Sequence, residues 1–229
     1  MLHCPVVKRL VIAVDGPSGA GKGTVARAAA RALGYRHVDT GAMYRAVAWE
    51  AVRRHLRLDA HDEAARLAGE AAIEMDEDRI RINGHDVTAA IRTPDIDKAA
   101  AVVARIPAVR DVLVNRQRVL GRDGGVVMEG RDIGTVVFPT ADVKIYLDAS
   151  PEERARRRAT DPAHTGGQHA DVAHVAEHLA ARDKSDSTRS VAPLAQAADA
   201  IYIDTTGLPV EDVVAQVLQL VRDRMGARP

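Results

Sequence analysis

Residues 10–24 read Leu-Val-Ile-Ala-Val-Asp-Gly-Pro-Ser-Gly-Ala-Gly-Lys-Gly-Thr, and this stretch decides the fold. Leu10 to Val14 is a short apolar run rich in β-branched side chains, closed by Asp15-Gly16-Pro17, the pattern of a buried strand. Thr24 to Leu33 is alanine-rich and stops at Gly34, which predicts a helix with its C-terminal glycine. The glycines between strand and helix let the backbone curl around an anion with its N–H groups turned inward. The helix that follows offers its positive N-terminus to the same anion. Lys22 is spaced to reach the terminal phosphates of a nucleoside triphosphate. The pattern Gly16…Gly21-Lys22 departs from the usual phosphate loop once, because Gly23 stands where a hydroxyl residue is usual and the hydroxyl comes at Thr24. Gly16, Pro17, Ser18, Gly19, Ala20, Gly21, Lys22, Gly23 and Thr24 are therefore the candidate nucleotide cradle, with Thr24 the candidate metal ligand.

The loop does not say what becomes of the nucleotide. A switch GTPase would carry a base-reading Asn-Lys-x-Asp stretch late in the chain, and none is present. A kinase needs a second anion site facing the loop. Outward from the loop, the chain alternates helices and strands, as an α/β fold does. Helices are expected over about 41–54, 94–104 and onward from Pro107, from Pro151, and over about 209–225; strands at Val126–Met128, Val143–Leu147 and 200–203. Ala71 to Val87 alternates apolar and charged residues around Asn83-Gly84, predicting a small antiparallel insertion outside the parallel sheet. Thr160 to Gln168 is the most loop-like segment and a candidate mobile flap.

Length and composition agree. The 229 residues suit one domain with a modest insertion, and 46% hydrophobic residues can fill a core. Charges balance at 32 basic and 32 acidic residues, against a dedicated nucleic-acid binder. Only five of the basic residues are lysines, so a local arginine pocket for phosphate fits that balance. The single cysteine, Cys4, points to a reducing compartment. No apolar run approaches the ~18 residues that cross a bilayer, and Val6–Val14 lacks a secretory cleavage site. A cytoplasmic protein with no membrane partner is expected, with a monomer as the default.

Asp39-Thr40-Gly41-Ala42-Met43-Tyr44-Arg45 opens a helix that holds Thr40, Tyr44 and Arg45 on one face, a set suited to a phosphomonoester. Together GPSGAGKGT, DTGAMYR, EGRDIGTVVFP (Glu129 to Pro139), KIYLDASPEERARRR (Lys144 to Arg158) and SVAPL (Ser190 to Leu194) resemble bacterial cytidylate kinases over essentially the whole chain. The resemblance implies an adenylate-kinase-like three-layer phosphate-loop fold: a five-stranded parallel sheet, a small antiparallel insertion and a lid. The core would span about 5–39, 106–157 and 190–229, the acceptor-binding insertion about 40–105 and the lid about 158–189. It implies transfer of the γ-phosphoryl group of ATP, with Mg²⁺, to CMP or dCMP. The acceptor would meet Thr40, Tyr44, Arg45, Arg110, Arg131, Asp132, Arg182, Asp186 and Arg189. Lys22, Arg131, Arg182 and Arg189 would neutralise the charge of the reacting phosphates.

An ionised carboxylate accepts from the exocyclic amine that distinguishes cytosine from uracil, so Asp132 is the candidate base reader. Arg110 would donate to the ring's acceptor edge and Asp186 would meet sugar hydroxyls; a plain Arg131–Asp132 ion pair is the alternative. Two departures bear on substrate preference: Ala101 stands where relatives often have serine, and Ser185 where some have arginine. Which of Arg154, Arg156, Arg157 and Arg158 reaches ATP stays open at this level. His164, His169, His174 and His178 are read as a solvated lid rather than a zinc site, and Trp49 as core. The competing readings are a kinase of UMP or AMP on the same core, and a nucleotide-dependent switch without turnover.

Overall fold

The computed structural model describes residues 9–58, 61–76, 79–161 and 171–226. Cys4, His164, His169 and most of the expected flap lie outside the described residues. Five strands, β1 (Val11–Asp15), β2 (Arg36–Asp39), β6 (Val126–Glu129), β7 (Val143–Asp148) and β8 (Ile201–Asp204), form one sheet. Its order is β2-β6-β1-β7-β8, with every neighbouring pair parallel. β1 is central and its run Ile12-Ala13-Val14 is fully buried, as a strand covered by helices on both faces must be. Each of the five strands ends on a carboxylate: Asp15, Asp39, Glu129, Asp148 and Asp204.

Helix α1 (Lys22–Leu33) begins at Gly21 and ends at Gly34, both in the left-handed region. It packs with α8 (Val210–Gly226) on one face of the sheet, where Val25, Ala26 and Ala29 meet Leu147, Val213 and Val217. The other face is covered by α5 (Pro107–Gly121) and a single π-helical turn over Ile133–Val137, with Val114, Met128 and Ile133 in contact. Gly16 is required where it stands: at φ +146° a Cβ would lie 1.9 Å from the Leu147 carbonyl oxygen.

The insertion has its own core. Helices α2 (Thr40–Arg53), α3 (His61–Glu70) and α4 (Pro94–Val103) enclose the antiparallel strands β3 (Ile73–Met75), β4 (Ile80–Ile82) and β5 (His85–Asp86). Asn83 and Gly84, with φ of +50° and +80°, make the tight turn that the sequence predicts between β4 and β5. Trp49 is partly buried against this core, tilted on His85. The expected division at 105/106 is not a packing boundary, because Ile106, Val109 and Leu113 of α5 belong to the insertion's core. Helices α6 (Pro151–Thr160) and α7 (Val172–Ser187) flank the 162–170 segment. Pro94 follows the Thr93 cap of α4, and Pro151 the Ser150 cap of α6, each a preorganised first turn.

Candidate active site

Because the sheet is parallel, β1, β2 and β6 all end at one edge, where ligands of such sheets bind. There a cavity of about 840 Å³ opens between the loop after β1, the insertion and α7. Ser18 to Thr24 line one bank; Gly16 and Pro17 lie behind it and shape the loop. Lys22 is 6% exposed and its Nζ donates to the Pro17 carbonyl at 2.6 Å. Burial, reinforced by the Arg131 charge, pushes its ammonium down to about 7, against the pull of Glu129 and Asp15. Thr24 is exposed on the same wall.

The loop is braced from behind. Arg154 of α6 donates to the carbonyls of Ser18 and Ala149 at 3.1 Å each and pairs with Asp183 of α7. Asp183 in turn accepts the Ser18 N–H at 3.4 Å. Arg154 is thus a buttress outside the cavity, whereas Arg156, Arg157 and Arg158 line it. Arg157 stands beside the loop: its Nη1 lies 3.7 Å from where a Cβ on Gly21 would be, and it is held by Glu153 and Thr205.

The opposite bank holds the remaining sequence-derived residues. Asp39 caps α2 by accepting the Ala42 N–H and also takes the Arg45 guanidinium at 2.9 Å. Burial alone would raise its carboxyl, and these two partners overcome that and hold it at about 2. Thr40 spends its hydroxyl on the Glu129 carbonyl at 2.7 Å, tying α2 to the end of β6. Tyr44 is pushed up to about 12 by burial, and the Arg110 guanidinium lies 5.7 Å from its ring centre. Arg110, 2% exposed, pairs with Asp132, and Arg131 with Asp186 at 2.9 Å. The Arg131–Asp132 pair weighed from sequence does not form; each residue takes a partner from a distant element instead. Burial lifts the Asp132 carboxyl above its usual range in spite of Arg110 and Arg189, while Asp186 is held below its own by Arg131 and Arg182 against the cost of burial. Arg189 donates to the Ala192 carbonyl at 2.8 Å, so the Ser190–Leu194 stretch fixes its direction. Arg182 sits 3.1 Å from Asp97.

Lys22, Arg45, Arg131, Arg182 and Arg189 therefore converge on one cavity. Buried polar atoms there lack a hydrogen-bond partner among the described residues: Tyr44 Oη, Arg45 Nε, Arg110 Nε and Nη1, Arg182 Nε and Arg189 Nε. Five of these six atoms are guanidinium donors and the sixth a phenol, so an acceptor-rich anion is what would satisfy them.

Two residues escaped the sequence reading. Glu129, 8% exposed, lines the cavity, with its Oε1 3.1 Å from the Cβ position of Gly23 and 3.0 Å from His37 Nε2. Its place at the head of the Glu-Gly-Arg-Asp motif was the available signal. Asp15 accepts the N–H groups of Ile133 and Gly134 at 2.8 and 2.7 Å, clamping the turn after Asp132 to the end of β1, and burial raises it to about 6. Among the described residues no cluster of three metal-ligating side chains occurs, and the His174–His178 pair stands alone with ring centres 4.2 Å apart.

A cytidylate kinase family model matches residues 12–223. A cytidylate kinase of Desulfitobacterium hafniense is 48% identical over 221 residues, spanning 95% of each chain. One from Pelotomaculum thermopropionicum is 49% identical over 218 residues, 92% of this chain and 95% of that one. Among solved structures, a shikimate kinase from Bacteroides thetaiotaomicron superposes with a TM-score of 0.50 at 14% identity, covering 93% of this chain and 98% of its own, a likeness of fold alone. With nearly its whole length matched, the chain belongs to the cytidylate kinase family.

Proposed function

We propose that this protein transfers the γ-phosphoryl group of ATP to CMP and dCMP by direct in-line displacement. The supporting observation is the set of buried, unpartnered donors from Tyr44, Arg110 and Arg189 facing the Lys22 loop across one cavity. Two anions must be brought together for this reaction, and their mutual repulsion must be offset in a site closed to water. The loop amides and Lys22 take the donor phosphates; Arg45, Arg131 and Arg189 take the acceptor phosphate. No general base is invoked, since phosphoryl transfer needs little covalent help.

Asp132 accepts from the cytosine amine, which favours its charged form, and the idle Nε and Nη1 of Arg110 donate to the ring's acceptor edge. Asp186 receives sugar hydroxyls. The residues present fit Mg²⁺: the exposed Thr24 hydroxyl and the Glu129 carboxylate are hard oxygen donors on the same wall, and such ions take most of their remaining ligands from phosphates and water. When bound, the ion neutralises charge on the transferring group. We further take the protein to act as a cytoplasmic monomer.

The test is ADP release with ATP and Mg²⁺ across CMP, dCMP, UMP and AMP. Turnover should be greatest with the two cytidine nucleotides. No release with either of them would sink the proposal.

A further inference from the structure

Asp97 lies on α4, in the insertion, and does not line the cavity. Its carboxylate nevertheless joins two arginines that do: Oδ2 accepts from Arg158 Nη2 of α6, and Oδ1 lies 3.1 Å from Arg182 Nη1 of α7. All three side chains are largely buried, at 15–20% exposure. We propose that Asp97 is a positioning residue for phosphoryl transfer, gripping Arg158 and Arg182 from behind so that their remaining donors face the reacting phosphates. This rests on the kinase function proposed above.

The physical case is that two buried guanidinium groups this close repel each other. Burial already pulls Arg158 down to about 10, and the neighbouring Arg182 charge adds to that, with Asp97 the chief opposing charge. Without the carboxylate, Arg158 loses a charge-assisted hydrogen bond and Arg182 an ion pair, and the two guanidinium groups are driven apart. The Arg182 Nε, buried and without a hydrogen bond, is the kind of donor that Asp97 keeps available. A displacement of about 1 Å in a charge-neutralising group costs up to a hundredfold in rate.

A second bridge spans the same junction between insertion and α7: Arg105 Nη1 donates to the Ser185 carbonyl and hydroxyl at 3.3 and 3.2 Å. Its hydrogen bonds go to Ser185 and not to Asp97, so it separates two roles, namely holding the junction shut and aiming the arginines.

The experiment measures kcat and KM for wild type, Asp97→Asn, Asp97→Glu and Arg105→Ala, with melting temperature alongside. Asp97→Asn should lower kcat ten- to a hundredfold with KM for ATP changed less; Asp97→Glu should recover part of the loss, and Arg105→Ala should leave kcat near wild type. An Asp97→Asn enzyme that melts lower but turns over normally would overturn the inference, as would an equal kcat loss in Arg105→Ala. Wild-type enzyme inactive on CMP would instead refute the function itself, so the two failures are distinguishable.

Discussion

Lys22 carries the clearest consequence at the scale of one side chain. Its ammonium is held near 7, against 10.5 ordinarily, because burial outweighs Glu129 and Asp15. A phosphate in the loop favours the charged form, so above pH 7 ATP binding must take up a proton. ATP affinity should therefore be flat below about pH 7 and weaken as pH rises through it, as read by titration calorimetry over a pH series; Lys22→Arg should remove the slope. Lys22→Ala should cut kcat by about a hundred- to a thousandfold with the melting temperature little changed. Asp132 makes a double prediction. Asp132→Ala should erode the preference for CMP over UMP by about tenfold or more in kcat/KM. It should also cost about 3 kcal/mol in urea denaturation, because Arg110 would be left buried without its partner. Equal loss on both acceptors would mean that Asp132 holds Arg110 in place rather than reading the base.

At the scale of elements, the strand ends explain why so many cations meet. Every parallel strand finishes on a carboxylate at the same edge, and three of these acids organise the cleft: Asp15 clamps the π turn, Asp39 caps α2 and holds Arg45, and Glu129 stands beside Gly23. Asp15→Asn should cost about 2–4 kcal/mol in urea denaturation, since an amide cannot accept both N–H groups as a carboxylate does. Legibility in the sequence follows the same division. The loop, the helix starts at Asp39 and Pro151 and the Asn83-Gly84 turn were readable because each is decided within a few residues. The Arg110–Asp132 pair, 22 residues apart, and the Arg158–Asp97 pair, 61 apart, were not, because which arginine finds which carboxylate is settled by packing. Glu129 was overlooked for a different reason: it sits inside a quoted motif, but a lone glutamate ending a strand has no local mark of function until Gly23 is seen beside it.

At the scale of the molecule, the sheet and the insertion have separate hydrophobic cores joined through α2 and α5, while the cleft between them is lined by charge. An acceptor that touches Tyr44 and Arg45 on α2, Asp132 after β6 and Asp186 on α7 should bind these parts into one cooperative unit. CMP at a hundred times its Kd should therefore stabilise the protein by about 2.7 kcal/mol, and should slow amide exchange in β3–β5 and α7 together. Protection confined to α7 would count against the insertion as the acceptor's seat. The function could be read from the chain because its motifs are contiguous; the arrangement of the two cores could not, because α5 serves both and its sequence shows one amphipathic helix.

The Asp183 carboxylate bolts α7 to both Arg154 and the amide of Ser18, so the return helix and the nucleotide cradle are a single mechanical part. A shift of the loop must therefore either carry the helix with it or break these two contacts.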